Sequence, residues 1–439
     1  MSDLKKNPSS SERISDIPVD VGTAADVEAI MKKYDRESNT RIWEGKPKLV
    51  IRWLMILFSL YSMWVTLFGS MLREQRLTIF LALILIIGYL TFPMKKGDSR
   101  VNHMPWYDVL LMGAGAFGLI YFAFNAQEII KLATRVTRDP FMVVIAILSI
   151  LSMMELCRRS VGIPILCVVG VLLIYTFSNV RFGKVIYDLF YTTSGLMNTP
   201  VDVCAKYIMI FIIFGAFLER TGIANVFIDF ANCIAGSFAG GPAKAAVIAS
   251  ALEGMVSGSS VGNTVGSGSI TIPLMKKLGY RPEFAGAVEA AASTGGQIMP
   301  PIMGAAAFLM AEYMGVPYSE VAMRAILPAV LYFTGIFIAV HLEAKKLGLK
   351  GIPREELPKM RHLIKKVYLL APLVILIALV GSNTRTMQFS ASVAILATIV
   401  VGLFNKENRV NLTKIMDALE AGAKGTITVA VASAMAGIV

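Results

Sequence analysis

The stretch that decides the fold runs from Gly254 to Pro301 and reads GMVSGSSVGNTVGSGSITIPLMKKLGYRPEFAGAVEAAASTGGQIMPP. Gly, Ser, Thr and Asn at this density do not form stable uninterrupted membrane helices. In hydrocarbon, non-helical backbone survives only where protein buries it or where it lines a wet cavity. The stretch therefore predicts a hairpin over residues 258–269 that enters the membrane and turns back, and a break over residues 293–301 within a second helix. Two such breaks that face each other at membrane depth are typical of a secondary-transporter binding site.

The composition on either side of this stretch is that of a membrane protein. The chain is 55% hydrophobic and 16% charged, with a mean hydropathy of +0.64, which is far more apolar than a soluble domain. A net charge of +12 would suggest a nucleic-acid partner in a soluble protein. In a membrane protein, however, basic residues collect in cytoplasmic loops. The expected partner is therefore the lipid bilayer, and no nucleic-acid partner is expected. The four cysteines show neither a metal-binding spacing nor a disulfide framework.

The apolar segments predict an all-α polytopic membrane protein with about 12 spans, a re-entrant hairpin and a broken helix. The spans cover residues 49–70, 77–93, 107–124, 140–156, 161–178, 201–219, 222–239, 243–256, 282–312 (the broken helix), 320–343, 366–382 and 388–404. Pro140 and Pro200 fall at segment edges, where proline costs least. Basic residues before the first span and in alternate loops predict a cytoplasmic N-terminus.

A faint internal repeat suggests two related halves. Lys184-x10-Gly195 recurs as Lys414-x10-Gly425, and the predicted topology places the two copies on opposite sides of the membrane. The repeat would therefore be inverted. Because the second copy opens residues 405–439, these residues are expected to begin a second repeat of which the rest is missing.

The hairpin and the break offer neutral oxygen atoms suited to a weakly held alkali cation such as Na⁺. The predicted cation site consists of Ser257, Ser259, Ser260, Gly262, Asn263, Thr264, Gly266, Ser293, Thr294, Gly295 and Gly296. Gly262 and Gly266 are expected to allow close backbone approach or a positive φ. A packing seam of small residues between helices is the alternative explanation for the same pattern.

The substrate is expected at the same place. Pro300 and Pro301 are predicted to restart the broken helix, and the positive end of that helix favours an anionic substrate. The predicted substrate-binding residues are Ser260, Asn263, Gln297, Pro300 and Pro301.

Two carboxylates are predicted to lie at membrane depth. Glu253 precedes the hairpin by one turn, and Glu289 precedes the break by one turn, so Glu289 and Ser293 share a helix face. A charged carboxylate near the bilayer centre is costly and usually marks an ion or proton path. Both are therefore candidates for coupling transport to an ion gradient. The alternative is a structural glutamate that neighbouring hydroxyls cap or that Lys276 or Lys277 neutralises.

Other motif matches do not favour an enzymatic function. Gly113-x-Gly115-x-x-Gly118 fits a dinucleotide fingerprint, but it lies inside a span and predicts close helix packing instead. Gly258-x-Ser260-x-Gly262 fits a nucleophile elbow, but the three histidines lie near loops or span ends, so an intramembrane serine protease is not favoured. The sequence contains no P-loop motif, so no cofactor is expected and Na⁺ or H⁺ should supply the driving force.

Two long motifs carry a family resemblance. SGSSVGNTVGSGSITIPLMKKLGY (257–280), followed by FAGAVEAAASTGGQIMPPIMGAAAFLMAE (284–312), resembles the large membrane subunit of tripartite ATP-independent periplasmic (TRAP) transporters. The fused permease of the TAXI subgroup is the nearest pattern, and three further segments support it: KYDRESNTR (33–41), GGPAKAAVIASALEGMVSGSS (240–260) and LPAVLYFTGIFIAVHLEAKKLGLKG (327–351). Gly262 and the Gly266–Gly268 segment depart from the family pattern, so the hairpin ion contacts carry over less directly.

The resemblance implies a domain order and a partner. Residues 1–47 would be a cytoplasmic tail, 48–158 a four-helix small-subunit-like domain, 160–404 the large-subunit-like domain, and 405–439 the incomplete second repeat. It also implies an elevator-type transporter of the bacterial inner membrane, fed by a TAXI-type periplasmic substrate-binding protein. Its substrates would be small organic acids such as glutamate or 2-oxoglutarate. A non-transporting membrane scaffold, or an inactive truncated remnant, is the alternative function.

Overall fold

The computed structural model describes residues 39–95, 100–353, 355, 357–358, 360–405 and 408–439, and most of these residues lie in helices. The first helices are α1 Gly45–Phe68, α2 Arg73–Thr91, α3 Trp106–Leu132, α4 Pro140–Ser160, α5 Ile163–Asn179 and α6 Phe182–Ile186. They are followed by α7 Thr199–Arg220, which contains a π turn, α8 Ile223–Ala235, α9 Gly241–Ser257, α10 Ser260–Gly266, α11 Gly268–Lys277 and α12 Pro282–Gly295. The last helices are α13 Ala305–Met314, α14 Tyr318–Lys346, α15 Met360–Ile364, α16 Ala371–Ser382, α17 Met387–Phe404 and α18 Leu412–Ala436.

Seven of the described helices are long and apolar enough to cross a membrane, which confirms a multi-pass helical membrane protein. They are α1, α2, α3, α4, α7, α14 and α17. Four more apolar helices (α5, α8, α13 and α16) are shorter. The total of about 12 spans, the entry of the hairpin into the bilayer and the inverted repeat stay predictions.

The two copies of the proposed repeat differ in local structure. The copy that begins at Lys184 lies in α6 and the π turn after it, and its last four residues are not helical. The copy that begins at Lys414 lies entirely within α18.

Side-chain caps and prolines fix where several helices begin. Asp139 accepts a hydrogen bond from the backbone N–H of Phe141 (2.9 Å) at the start of α4, where Pro140 occupies the first helical position. Asn198 accepts one from Val201 N–H (2.8 Å) at the start of α7, with Pro200 just inside the helix. A proline here loses no intrahelical hydrogen bond, because the first N–H groups of a helix have no partner within it. The predicted positions of both prolines at segment edges are confirmed.

The main hydrophobic core joins the first four helices to the later ones. α18 packs against α1, α2, α4 and α7, and a single cluster of buried apolar side chains extends from Ile51 to Ile438. Its largest members include Phe122, Phe190 and Phe214. The helices of residues 48–158 are therefore not packed as a separate body.

Two of the three glycines of the dinucleotide-like motif, Gly115 and Gly118, serve helix packing as predicted, whereas Gly113 has open space beside it. A Cβ added at Gly115 would lie 2.5 Å from Ser152 Cβ, and one added at Gly118 would lie 2.2 Å from Ser149 Oγ. The Ser149 hydroxyl donates a hydrogen bond to Gly115 O (3.0 Å). Small residues thus let α3 and α4 approach closely.

A second, smaller core holds the segment that carries the expected site. α9, α11, α12 and the second half of α14 bury a cluster around Val247, Met275, Val288 and Val340. α14 connects this cluster to α13 and α16.

The described chain begins at Asn39, so residues 1–38 of the predicted tail, and most of KYDRESNTR, lie outside the described residues. Arg41 packs against the ends of α2 and α3, where its guanidinium forms an ion pair with Asp108 and donates to His103 O (2.8 Å). The last part of the tail is therefore held against the membrane helices.

Candidate functional site

The hairpin turn consists of three residues, Ser257, Gly258 and Ser259. α9 ends at Ser257, and Gly258 has a φ of +60°, a left-handed conformation that glycine adopts at little cost. Ser259 then starts α10, with its hydroxyl accepting a hydrogen bond from Gly262 N–H (3.1 Å). α9 packs against both α10 and α11, so the three helices form a helical hairpin.

The predicted hairpin over residues 258–269 is therefore corrected to this shorter turn, because residues 260–277 are almost entirely helical. The hydroxyl groups of these residues hydrogen-bond to the backbone one helical turn earlier, and this part of the chain therefore forms helix where a loop was predicted. Thr264 Oγ1 donates to Ser260 O (2.8 Å), and Ser267 Oγ lies 3.0 Å from Asn263 O. Neither Gly262 nor Gly266 has a positive φ, so that part of the prediction was wrong.

The break in the second helix is present. α12 ends at Gly295, residues 296–298 form a 3₁₀ turn, and α13 begins at Ala305. Gly304 N–H donates to Gln297 O (2.7 Å) and closes the loop between the two helices. The expectation that Pro300 and Pro301 restart the helix was wrong. A residue that precedes proline is biased towards extended backbone, and here both Met299 and Pro300 precede one.

The hairpin turn and the break lie against each other. A Cβ added at Gly254 would lie 2.3 Å from Gly296 Cα, so the two backbones are in contact there. Ile302 N–H donates to Met255 O (3.3 Å). A Cβ at Gly258 would lie 3.1 Å from Met303 O. The structure thus brings together the two interruptions that the sequence predicted to face each other.

A cavity of about 190 Å³ opens where they meet. Ser257, Gly258 and Ser259 line one wall, and Gln297, Met303 and Ala305 line another. α7 contributes Phe211, and α18 contributes Gly425 and Val429. Ala305 is the first residue of α13, so the positive end of that helix lies at the cavity in place of the predicted Pro300.

Only part of the predicted site lines this cavity. Ser260 borders it through a hydrogen bond that Gln297 Nε2 donates to Ser260 Oγ (3.3 Å). Thr294 is exposed and donates to Ala290 O (2.7 Å), so its hydroxyl is used within α12. Pro300 and Pro301 line a separate apolar cavity of about 280 Å³ beside α14 and α16. The predicted ring of oxygen ligands is therefore not assembled around one point.

Two buried members of the predicted set, Ser293 and Asn263, lie around Glu289 instead, together with hydroxyl groups outside that set. The Glu289 carboxylate is fully buried, and Ser267 Oγ lies 2.6 Å from Oε1 while Thr271 Oγ1 lies 2.6 Å from Oε2. Ser293 Oγ and Ser250 Oγ lie 3.2 and 3.4 Å from Oε1. We call these four hydroxyls the hydroxyl cage.

Asn263 extends the hydroxyl cage by donating to Ser250 O (2.8 Å) and Ser250 Oγ (3.1 Å). Among the described residues, no Lys, Arg or His lies within ion-pair distance of Glu289. Of the two structural alternatives, capping by hydroxyls is therefore the one the structure contains, and pairing with Lys276 or Lys277 is not. A buried carboxylate without a base needs such hydrogen bonds to be tolerated at all.

Glu253, the other coupling candidate, lies next to this cage. It is buried, and a Cβ at Gly266 would lie 2.2 Å from its Oε1. Gly266 thus leaves room for the Glu253 carboxylate, a side-chain contact that differs from the close backbone approach predicted for this glycine. A Cβ at Gly262 would meet its nearest atom only at 3.5 Å, so Gly262 has no such role.

Ser250, Ser267 and Thr271 were not among the predicted site residues. A signal for two of them was present, because Asn263, Ser267 and Thr271 are spaced four residues apart and so share one face of a helix. The assumption that residues 258–269 are not helical concealed this spacing.

Comparison with known proteins gives one family. The family described as "Tripartite ATP-independent periplasmic transporter, DctM component" matches residues 148–439, about two thirds of the chain.

Individual relatives are permease proteins of the same kind of transporter. The C4-dicarboxylate TRAP transporter large permease protein DctM of Pseudomonas aeruginosa is 29% identical over 210 residues, which cover 48% of this chain and 49% of the relative. The same-named protein of Vibrio cholerae is 29% identical over 211 residues, covering 47% of this chain and 44% of the relative. The sialic acid TRAP transporter permease protein SiaT of Haemophilus influenzae is 23% identical over 316 residues, covering 72% of this chain and 49% of the relative. The chain spans about half the length of these curated relatives.

Proposed function

Since the chain belongs to the DctM family of tripartite ATP-independent periplasmic transporter components, we propose that it forms the membrane permease of such a transporter and imports a small organic acid. A periplasmic substrate-binding protein, of the TAXI type in our proposal, delivers the substrate, and glutamate or 2-oxoglutarate are the first candidates. A Na⁺ or H⁺ gradient drives this import. The family relationship does not favour the alternative of a non-transporting scaffold.

The proposed topology places the chain in the bacterial inner membrane with a cytoplasmic N-terminus. Residues 48–158 act as a fused small subunit, 160–404 as the large-subunit domain, and 405–439 as the start of the second repeat. The family match to residues 148–439 supports the division near residue 160. The hairpin and the broken helix move together across the membrane as an elevator.

One observation carries the proposed substrate site, namely the 190 Å³ cavity at the contact between the hairpin turn and the break. Ser257, Ser259 and Gln297 supply hydrogen-bonding groups there. The backbone N–H groups at the start of α13 supply positive partial charge for a carboxylate. A small organic acid is matched by this combination of donors and a helix N-terminus.

The hydroxyl cage is the proposed coupling element. A proton would neutralise the Glu289 carboxylate, whereas Na⁺ would keep it charged and share the oxygens of Ser267, Thr271 and Ser293. In both cases the loaded ion removes an uncompensated buried charge, which lowers the cost of moving the site through hydrocarbon.

Uptake of radiolabelled substrate into proteoliposomes tests this proposal, with the permease and its binding protein present and the Na⁺ and pH gradients imposed separately. We expect uptake to require the binding protein and one of the two gradients. Glu289→Gln keeps the hydrogen-bonding shape but removes the charge, so we expect it to lose the gradient dependence while equilibrium exchange of substrate persists. Glu283→Gln, at an exposed position in the first turn of the same helix, is the matched control and should behave as wild type.

The two parts of the proposal fail separately. Uptake without any binding protein would contradict the tripartite assignment. An unchanged gradient dependence in Glu289→Gln would reduce Glu289 to a structural residue and leave the transporter assignment intact.

A further inference from the structure

A buried lysine faces a histidine where α9 begins and α14 ends, away from the cavity and the hydroxyl cage. Lys244 is only 4% exposed, and its Nζ lies 3.0 Å from His341 Nδ1. The ammonium group also lies over the rings of Phe337 (5.4 Å to the centroid) and Phe238 (5.9 Å). No Asp or Glu among the described residues lies within ion-pair distance of Lys244.

While Lys244 carries its charge, the contact favours the neutral form of the histidine. A lysine ammonium can only donate, so His341 Nδ1 must accept, and the ring is neutral with its hydrogen on Nε2. A protonated ring has no free acceptor and would place two positive charges at this short distance. His341 is half-buried, so protons from solution can reach it.

The surrounding charges do not compensate for a second positive charge. Lys345, one turn further along α14, adds to the positive potential on both groups. Glu343 faces Tyr280 and Lys346, and its carboxylate lies 3.8 Å from Lys346 Nζ. From the loop before α12, Tyr280 contributes a hydroxyl that donates to Gly240 O (3.4 Å). Phe238 and Phe337 carry no charge.

This contact holds the end of α14 against the start of α9. A Cβ at Gly240 would lie 2.4 Å from Ala344 Cβ, so the two backbones approach closely beside the pair. Val340 and Ala344 on α14 and Ala243 and Val247 on α9 are all buried in the smaller core. α9 also carries Ser250 of the hydroxyl cage and, at its other end, the hairpin turn.

We propose that Lys244 and His341 form a pH-sensitive latch, in which proton binding to His341 releases the end of α14 from the start of α9. Histidine is the side chain whose charge changes between about pH 5 and 8, so the latch is closed at neutral pH and opens in acid. The proposal does not depend on the identity of the transported substrate or of the coupling ion.

Hydrogen–deuterium exchange with mass spectrometry tests the latch on the full chain in lipid nanodiscs. Peptides that cover residues 238–247 and 336–348 are compared at pH 5.5 and 7.5, after correction for the intrinsic pH dependence of exchange. In wild type we expect exchange in both segments to rise by about tenfold at pH 5.5, the effect of losing roughly one charged hydrogen bond.

Two variants remove the switch in different ways. Gln in place of His341 can accept from Lys244 at any pH, so His341→Gln should stay protected at both pH values. Lys244→Met removes the charge that a protonated His341 repels, so its pH response should also disappear. His103→Gln is the matched control and should keep the wild-type response, because His103 lies near Arg41, outside the latch.

Equal protection of wild type at the two pH values would overturn the proposal, as would a pH response that persists in His341→Gln. Because exchange is measured without substrate or binding protein, either result leaves the transport proposal untouched.

Discussion

The glycines around the hairpin turn are glycines for different reasons. Gly258 has the left-handed backbone of the turn itself. Gly254 and Gly296 place two backbones in direct contact, and Gly266 leaves space for the Glu253 carboxylate. Gly262, by contrast, lies in a helix, and a Cβ there would meet its nearest atom at an ordinary contact distance of 3.5 Å. Substitution at these positions should therefore have opposite effects, although all of them lie in one Gly-rich stretch.

We expect Gly254→Ala to destabilise the protein by about 1–3 kcal/mol, because its methyl group meets backbone that cannot rotate away. Gly262→Ala is the matched variant and should be neutral or stabilising by up to about 1 kcal/mol, since alanine is favoured over glycine inside a helix. Thermal unfolding of the two variants in the same detergent gives the comparison. A Gly254→Ala protein as stable as Gly262→Ala would show that the hairpin and the break do not touch.

At the scale of the element, Tyr318 holds the break in shape. Its hydroxyl donates to Pro301 O (2.9 Å) and accepts from Met303 N–H (3.2 Å), while its ring stacks on Phe308 with centroids 4.4 Å apart. One side chain thus supplies partners to backbone groups that a continuous helix would have satisfied internally.

Tyr318→Phe keeps the ring stacking but leaves the Met303 N–H and the Pro301 carbonyl without this partner. We expect a loss of about 1–3 kcal/mol of stability and faster proteolysis within residues 296–304. Tyr332→Phe is the control, since its exposed hydroxyl only donates to Ala291 O (2.9 Å), a carbonyl within α12. Limited proteolysis with mass spectrometry locates the cleavage sites, and equal cleavage in both variants would count against a special role for Tyr318.

The break could be predicted from sequence because Gly295-Gly296 and Pro300-Pro301 each disfavour a continuous helix. The helical course of residues 260–277 could not, because small polar residues indicate turns in water but satisfy their hydroxyls on the preceding helical turn in a dry environment. Thr264 and Ser267 do this here. The hydroxyl cage around Glu289 could not be predicted from the sequence either, because Ser250 joins it from a different helix.

At the scale of the whole molecule, ion pairs connect the first helices to the later ones. Asp202 on α7 receives Arg76 (2.5 Å) and Arg73 (3.4 Å) from α2, and Lys206 (2.7 Å) from its own helix. Near the other end of α7, α1 and α18 are joined by Arg52 and Asp417 (2.5 Å). Sequence patterns predicted membrane helices, but they contain no information on which helices these charges would join.

Asp202→Asn should be among the most destabilising single changes to a charged residue. The Asp202 side chain is 7% exposed, and its loss leaves three cations without their shared partner, for which we expect a cost of about 3–5 kcal/mol. Glu320→Gln breaks a pair with Arg324 in which the Glu320 side chain is 42% exposed, so its cost should be only about 0–1 kcal/mol. Thermal unfolding in nanodiscs compares the two, and similar midpoints would mean that the contact between α2 and α7 adds little stability.

The central position of α18 has a consequence for biogenesis. Ribosomes make this helix after α1, α2, α4 and α7, the described helices against which it packs most extensively, so these four enter the membrane before their shared neighbour exists. The Ser59 hydroxyl and the Asn198 amide gain their partners, Leu419 O (2.7 Å) and Ser433 O (2.8 Å), only when residues 412–436 insert. Until then the nascent helices must hold these polar groups against lipid, water or the insertion machinery, and this core closes only after α18 has been made.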